Sequence, residues 1–219
     1  MATDSESPAG TIVLPIGHYV GAYYPGPDEP LAHHTVRIGR APVRLQSDEE
    51  FGLWALSHGL TGEDATHTWS REDVLSAATD ADIQDAPRLL QELINEDIIV
   101  DVAPGTADSI DFAKSYRVVP LMFGVGMTSD DPVTAGIGLQ GQPAVEVNSF
   151  GYELWRFGHR VGNLWDFGRI HGEALAEAAG ASREETTPEQ MLLHIFWELQ
   201  PLLACNAVYL DVATDTPDQ

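Results

Sequence analysis

Val43-Arg-Leu-Gln-Ser47, followed by Leu53-Trp54, recurs about a hundred residues later as Val145-Glu-Val-Asn-Ser149, followed by Leu154-Trp155. The separation is 102 at the serines and 101 at the tryptophans, so one residue has been lost between them. Upstream, Ile38-Gly39 answers Ile137-Gly138, and Leu14-Pro15-Ile16 answers Val119-Pro120-Leu121. The latter pair is followed in each copy by glycines, Gly17 and Gly21 against Gly124 and Gly126. Downstream, Val100-Asp-Val-Ala103 answers Leu210-Asp-Val-Ala213. Anchors in one order, at separations drifting only from 99 to 110, read as an internal duplication. It divides the chain into modules at 11–103 and 112–213, the second a diverged copy. The tails at 1–10 and 214–219, rich in Asp, Ser, Thr and Pro, read as disordered.

Within the first copy the hydrophobic period changes once. Thr11 to Ile16, Val36 to Gly39 and Val43 to Gln46 are short β-branched or alternating runs. The turns Pro25-Gly26-Pro27 and Arg40-Ala41-Pro42 separate them, so they read as strands of a small antiparallel sheet. At Ser47 the signals become helical. Ser47-x-x-Glu50 and Ser70-Arg-Glu-Asp73 are capping boxes, and Gly59 ends the first helix. A third helix starts near Asp85 with Pro87 in its first turn and Leu89, Leu90, Leu93 and Ile94 at helical spacing. Ile98 to Val102 then reads as a strand.

The second copy repeats the plan. Tyr116 to Phe123 is too apolar for a linker and opens it as a strand. Thr187-Pro188-Glu189-Gln190 is a helix start, Met191, Leu192, Ile195, Phe196 and Leu199 form its apolar stripe, and Ala207 to Val212 closes the copy as a strand. Each module is thus a small antiparallel β-sheet followed by three helices and a strand, an α+β plan in winged-helix-like order.

The stretch from Ile38 to Gly59 resembles the PqqD-like family, the RiPP recognition elements, through Val43, Leu45, Trp54 and Gly59. The second copy matches through Val145, Val147, Trp155 and Gly158. The resemblance implies a peptide-binding protein that takes the leader of a precursor peptide as an extra strand on the edge of its third strand, for a modifying enzyme. Backbone hydrogen bonds supply affinity there, and a groove beside the third helix supplies specificity. Carried onto this chain, the edge is Val43, Arg44, Leu45 and Gln46, and the groove helix presents Arg88, Gln91 and Asn95. In the second copy the matching residues are Val145 and Val147 on the edge and Gln190 and His194 on the helix. The copies differ where binding would occur: Arg44 answers Glu146, and Arg88 answers a helix with no Lys or Arg.

The charge narrows the partner. With 34 acidic and 11 basic residues the chain carries −23 and has a pI near 4.3. Nucleic-acid affinity comes largely from Lys and Arg displacing counterions. The third helix of the first copy carries Arg88 alone against Asp85, Glu92, Glu96 and Asp97, and Pro188 to Leu199 has no Lys or Arg. That disfavours the alternative of a winged-helix transcriptional regulator and favours a neutral or basic peptide. An acidic leader would require Arg40, Arg44 and Arg88 to form a basic patch. A single cysteine, a polar N-terminus and no long apolar run point to a cytoplasmic protein with no membrane span.

No residue set specifies a reaction, so the reading is a binding protein or an accessory subunit rather than an enzyme, with no cofactor. His33 and His34 fall on opposite faces of any strand. His58, His67, His159, His171 and His194 share no metal-ligand spacing. Cys205 sits among Leu202, Leu203 and Ala204 with no basic neighbour, and reads as a small buried hydrophobe. Gly136, Gly138 and Gly141 read as hairpin turns. Trp54 and Trp155 read as core, whereas Tyr19, Tyr23 and Tyr24, with Phe123, read as an exposed aromatic patch.

Overall fold

The computed structural model describes residues 10–62, 68–127, 134–179 and 186–214. His67 and most of both tails lie outside the described residues. The chain is a mixed α+β protein with seven helices and four small antiparallel sheets among those residues.

One order of elements runs through it twice. In the first half β1 (Ile12–Pro15) is followed by β2 (His18–Tyr23), β3 (His33–Ile38) and β4 (Ala41–Leu45), which pair in that order. Then come α1 (Asp48–Leu56), α2 (Arg71–Asp80), α3 (Ala86–Asn95) and β5 (Ile99–Val102), and β5 returns to pair with β1. The second half has β6 (Tyr116–Pro120), then the meander β7 (Phe123–Met127), β8 (Ala135–Leu139) and β9 (Gln142–Val147). It continues with α5 (Ser149–Phe157), α6 (Leu164–Ala179), α7 (Pro188–Ala204) and β10 (Val208–Val212), which pairs with β6. Between the halves runs α4 (Ala107–Ser115). The sequence reading missed α4, although Thr106 starts it as an N-cap accepting from the Ser109 amide.

Local chemistry places the helix starts. Ser70 and Asp73 form a reciprocal capping box at α2. At α1, Ser47 accepts from the Glu50 amide, but the Glu50 carboxylate reaches past it to the amide of Gln46, 2.6 Å away. At α5 the cap is Asn148, accepting from Gly151, so the structural partner of Ser47 is Asn148 and not Ser149. The hairpin turns also register two residues differently from the sequence match. Gly39 and Gln140, both left-handed, occupy the same place.

The halves come back into register at Asp97 and Asn206, each left-handed at a helix end, with φ near 54° and 53°. The extra residues of the second half lie in α6 and α7, of 16 and 17 residues, against 10 each in α2 and α3.

A shared strand joins the halves. Val13 enters one core with Leu53, Trp54, Leu90 and Ile99, while Ile12, Leu14 and Ile16 enter the other with Phe112, Phe196, Leu199 and Leu210. Successive side chains of a strand point to opposite faces, so β1 serves both cores. A parallel bridge pairs Ile16 with Leu210, and the Gly17 amide donates to the Leu210 carbonyl at 2.8 Å.

Candidate functional site

β4 is the outermost strand of its sheet. Its hairpin closes on Ile38 opposite Ala41 around a two-residue turn, and such a closing pair exchanges both hydrogen bonds. By alternation Val43 and Leu45 turn their backbone groups toward β3, whereas Pro42 and Arg44 turn theirs outward. Pro42 has no N–H to leave unpaired, the usual reason a proline is tolerated on an edge. The next outward amide, Gln46, is held by Glu50. Arg44 is therefore the residue that offers both a free-facing N–H and C=O along this edge.

Beside the edge, β4 and α3 enclose a groove of about 380 Å³. Leu89 and Leu93 form its floor; Arg44, Gln46, Glu50, Glu92 and Glu96 form its walls. The basic patch that an acidic leader would require is not assembled in this groove. Arg88 is held by Asp85 at 2.5 Å and by Glu92 at 2.6 Å, and Arg44 faces carboxylates. Gln91 and Asn95 lie on another face of α3. Gln91 donates to the Asn95 side chain at 2.9 Å and accepts from Arg71, which in turn pairs with Asp101. A helix turns 100° per residue, so the groove face is Leu89, Glu92, Leu93 and Glu96. Of the first-half residues expected at the site, Arg44 and Gln46 meet in the groove. Val43 is half-buried, Leu45 is buried beneath the sheet, and Arg88 is exposed.

The matching place in the second half is closed. Counting back from Asn206, the positions of Leu89 and Glu96 are taken by Glu198 and Cys205. Glu198 is buried and accepts from the Asn148 side chain at 2.5 Å. A Cβ on Gly151 would sit 2.6 Å from its carboxylate. The Cys205 thiol donates to the Ala144 carbonyl on β9 at 3.3 Å, and partial burial pushes its pKa up. Cys205 is thus a partly exposed hydrogen-bond donor rather than a buried hydrophobe. Val145 is half-buried and Val147 buried. Gln190 and His194 are exposed on the N-terminal extension of α7, which has no counterpart in α3.

The expected aromatic patch is divided. Tyr19 packs on Phe51 with ring centroids 4.7 Å apart, and its hydroxyl meets Nδ1 of buried His34, whose Nε2 lies 2.8 Å from Asp48. Tyr23, Tyr24 and Phe123 are exposed, the last on a different sheet. His58 is buried against Trp54; burial pushes its pKa down to about 4, and its Nδ1 lies 3.1 Å from the Trp54 carbonyl.

Among the described residues no three His, Cys, Asp or Glu side chains gather as a metal site, and no helix is long and apolar enough to cross a membrane. Comparison of the chain with protein-family models, curated proteins and solved structures gives no match.

Proposed function

We propose that the protein is a non-catalytic peptide-binding protein of two winged-helix-like, PqqD-like modules, in which the first module binds and the second serves as scaffold. The observation that carries this reading is an outermost strand, β4, whose Arg44 backbone faces outward directly above a groove walled by α3. Strand addition needs those two features together: unpaired backbone for affinity and a side-chain groove for selection. Closure of the same place by Cys205 and Glu198 supports assigning the role to the first half. The ligand is the leader of a precursor peptide, presented to a modifying enzyme. Glu50, Glu92 and Glu96 favour a neutral or basic segment over an acidic one, through steering as much as contact.

Calorimetry with leader peptides encoded beside the gene tests this. Arg44→Pro removes the one outward N–H without touching the β3 ladder, and is expected to weaken binding at least about tenfold, or 1.4 kcal/mol. Absence of binding to every such peptide, or wild-type affinity in Arg44→Pro, refutes the reading.

A further inference from the structure

Beneath β8, against α5, lies a cavity of about 650 Å³. Met127, Ala135, Ser149 and Tyr152 border it, together with exposed Glu153 and Arg156. The volume falls within the range of ligand pockets, roughly 300–1,000 Å³. The first half shows what shape belongs there, because both halves lay the helix that follows the meander beneath the same strands.

Sheet register makes Ala135, paired with Met127 and Val147, the counterpart of His34, paired with Ala22 and Leu45. The N-caps Ser47 and Asn148 make Ser149 the counterpart of Asp48, and Tyr152 the counterpart of Phe51. In the first half the His34 imidazole is buried and stacks on Phe51, with ring centroids 4.2 Å apart and planes 17° from parallel. Its Nε2 lies 2.8 Å from the Asp48 carboxylate, and its Nδ1 lies 3.1 Å from the Tyr19 hydroxyl. A flat, nitrogen-bearing ring thus fills the space between β3 and α1. In the second half the alanine side chain ends at Cβ, and the place of that ring is the cavity.

A missing ring does not by itself leave room. Gly124 stands where Tyr19 stands, yet a Cβ there would lie 2.5 Å from the Tyr152 hydroxyl and 3.1 Å from the Trp155 ring, so those side chains take up the phenol's place. At Ala135 the space stays open, and a cavity left by a large-to-small replacement takes up a molecule of the missing shape. Its walls keep the means to hold one. Tyr152 offers an aromatic ring where Phe51 does, and Ser149 offers a hydroxyl at the first position of α5, where Asp48 opens α1. Glu153 and Arg156 replace Gly52 and Ala55, adding an acceptor and a donor whose charges cancel. Glu153 also meets His171, at 3.3 Å. An uncharged ligand with both donor and acceptor nitrogens matches this border.

We propose that the cavity binds a neutral, planar nitrogen heterocycle, stacked on Tyr152 and hydrogen-bonded to Ser149, in the place that the His34 imidazole occupies in the first half. This site is separate from the β4 groove.

Titration of ¹⁵N-labelled protein with benzimidazole, followed by amide chemical shifts, tests it. Benzyl alcohol, a flat ring without nitrogen, and cyclohexanol, neither flat nor nitrogen-bearing, are the controls. Saturation is expected with a Kd of about 1 mM or tighter, at least about tenfold below either control, with shifts centred on Ala135, Ser149 and Tyr152. Ala135→His puts the first half's ring back and is expected to weaken binding at least about tenfold, circular dichroism confirming the fold. Should Ala135→His not fold, Ser149→Asp gives the answer. It recreates Asp48 at an exposed helix start and is expected to tighten the binding of imidazole about fivefold, because a carboxylate is the stronger acceptor. Arg44→Pro leaves benzimidazole binding unchanged, so failure of the β4 reading is distinguishable from failure here. No saturation by about 10 mM benzimidazole, equal affinity for either control, or shifts centred elsewhere overturns the proposal. Wild-type affinity in folded Ala135→His, or in Ser149→Asp where Ala135→His does not fold, overturns it as well.

Discussion

The side-chain amide of Gln200 in α7 donates to the backbone carbonyl of His58 at 2.9 Å, closing a hydrogen bond across 142 residues of chain. It ties the end of α1 to the second half at a buried point where water has no access to the carbonyl. Gly59, at φ +94°, lies directly below: a Cβ there would sit 2.5 Å from Gln200 Nε2. Gln200→Leu is expected to cost about 1–3 kcal/mol, because it leaves a buried acceptor unsatisfied. Gly59→Ala is expected to cost at least as much, through both the contact and the left-handed backbone. Urea denaturation of the two variants, read by Trp fluorescence, checks this.

Trp54 donates its indole N–H to the Ile16 carbonyl at 3.1 Å, whereas the buried Nε1 of Trp155, its counterpart, has no partner. Both rings fill similar space. Trp54→Phe is therefore expected to destabilise by about 1–2 kcal/mol more than Trp155→Phe, the difference being one hydrogen bond to an acceptor that would stay buried. Paired denaturation curves measure that difference. Equal losses would contradict it.

His58 is held neutral by burial, with its pKa lowered to about 4 from 6.5. Between those values the unfolded chain binds the proton and the folded one does not, so stability falls as pH falls through the window. From pH 7.5 to 5.5 the contribution of this residue is about 1 kcal/mol lost. Comparing the pH dependence of unfolding in wild type and His58→Gln isolates it from the titration of carboxylates, which both share.

Ser70 and Asp73 satisfy each other's backbone amides at the start of α2. Ser70→Ala is expected to cost about 1 kcal/mol, seen as a lower thermal midpoint, with Ser70→Asn restoring most of it.

The starts of four helices, at Ser47, Ser70, Asp85 and Thr187, were legible in the chain because these depend on local chemistry, whereas β2 was missed and β1, read as a strand of the first sheet, pairs with β5 instead because that pairing is set across the fold. Capping hydroxyls, a proline in the first turn and the period of Leu89, Leu90 and Leu93 act over a few residues. The edge position of β4 was expected from the family resemblance, and which of its residues turns outward, Arg44, is set by the two-residue turn that closes on Ile38 and Ala41. Three further things were not legible. The register of α7 against α3 was misjudged because a seven-residue extension at a helix N-terminus leaves the periodicity intact, so Gln190 and His194 were matched to positions they do not occupy. The α3 face toward β4 depends on how the helix is rolled, which the packing of Leu89 and Leu93 settles, and this puts Glu92 and Glu96 in the groove rather than Gln91 and Asn95. The cavity beneath Ala135 lies where His34 stands in the first half, whereas at Gly124, the counterpart of Tyr19, the space is taken by the Tyr152 hydroxyl and Trp155. Small residues in a strand look alike in a sequence whether another side chain fills their space or leaves it open, and only the packing of α5 beneath the sheet distinguishes the two.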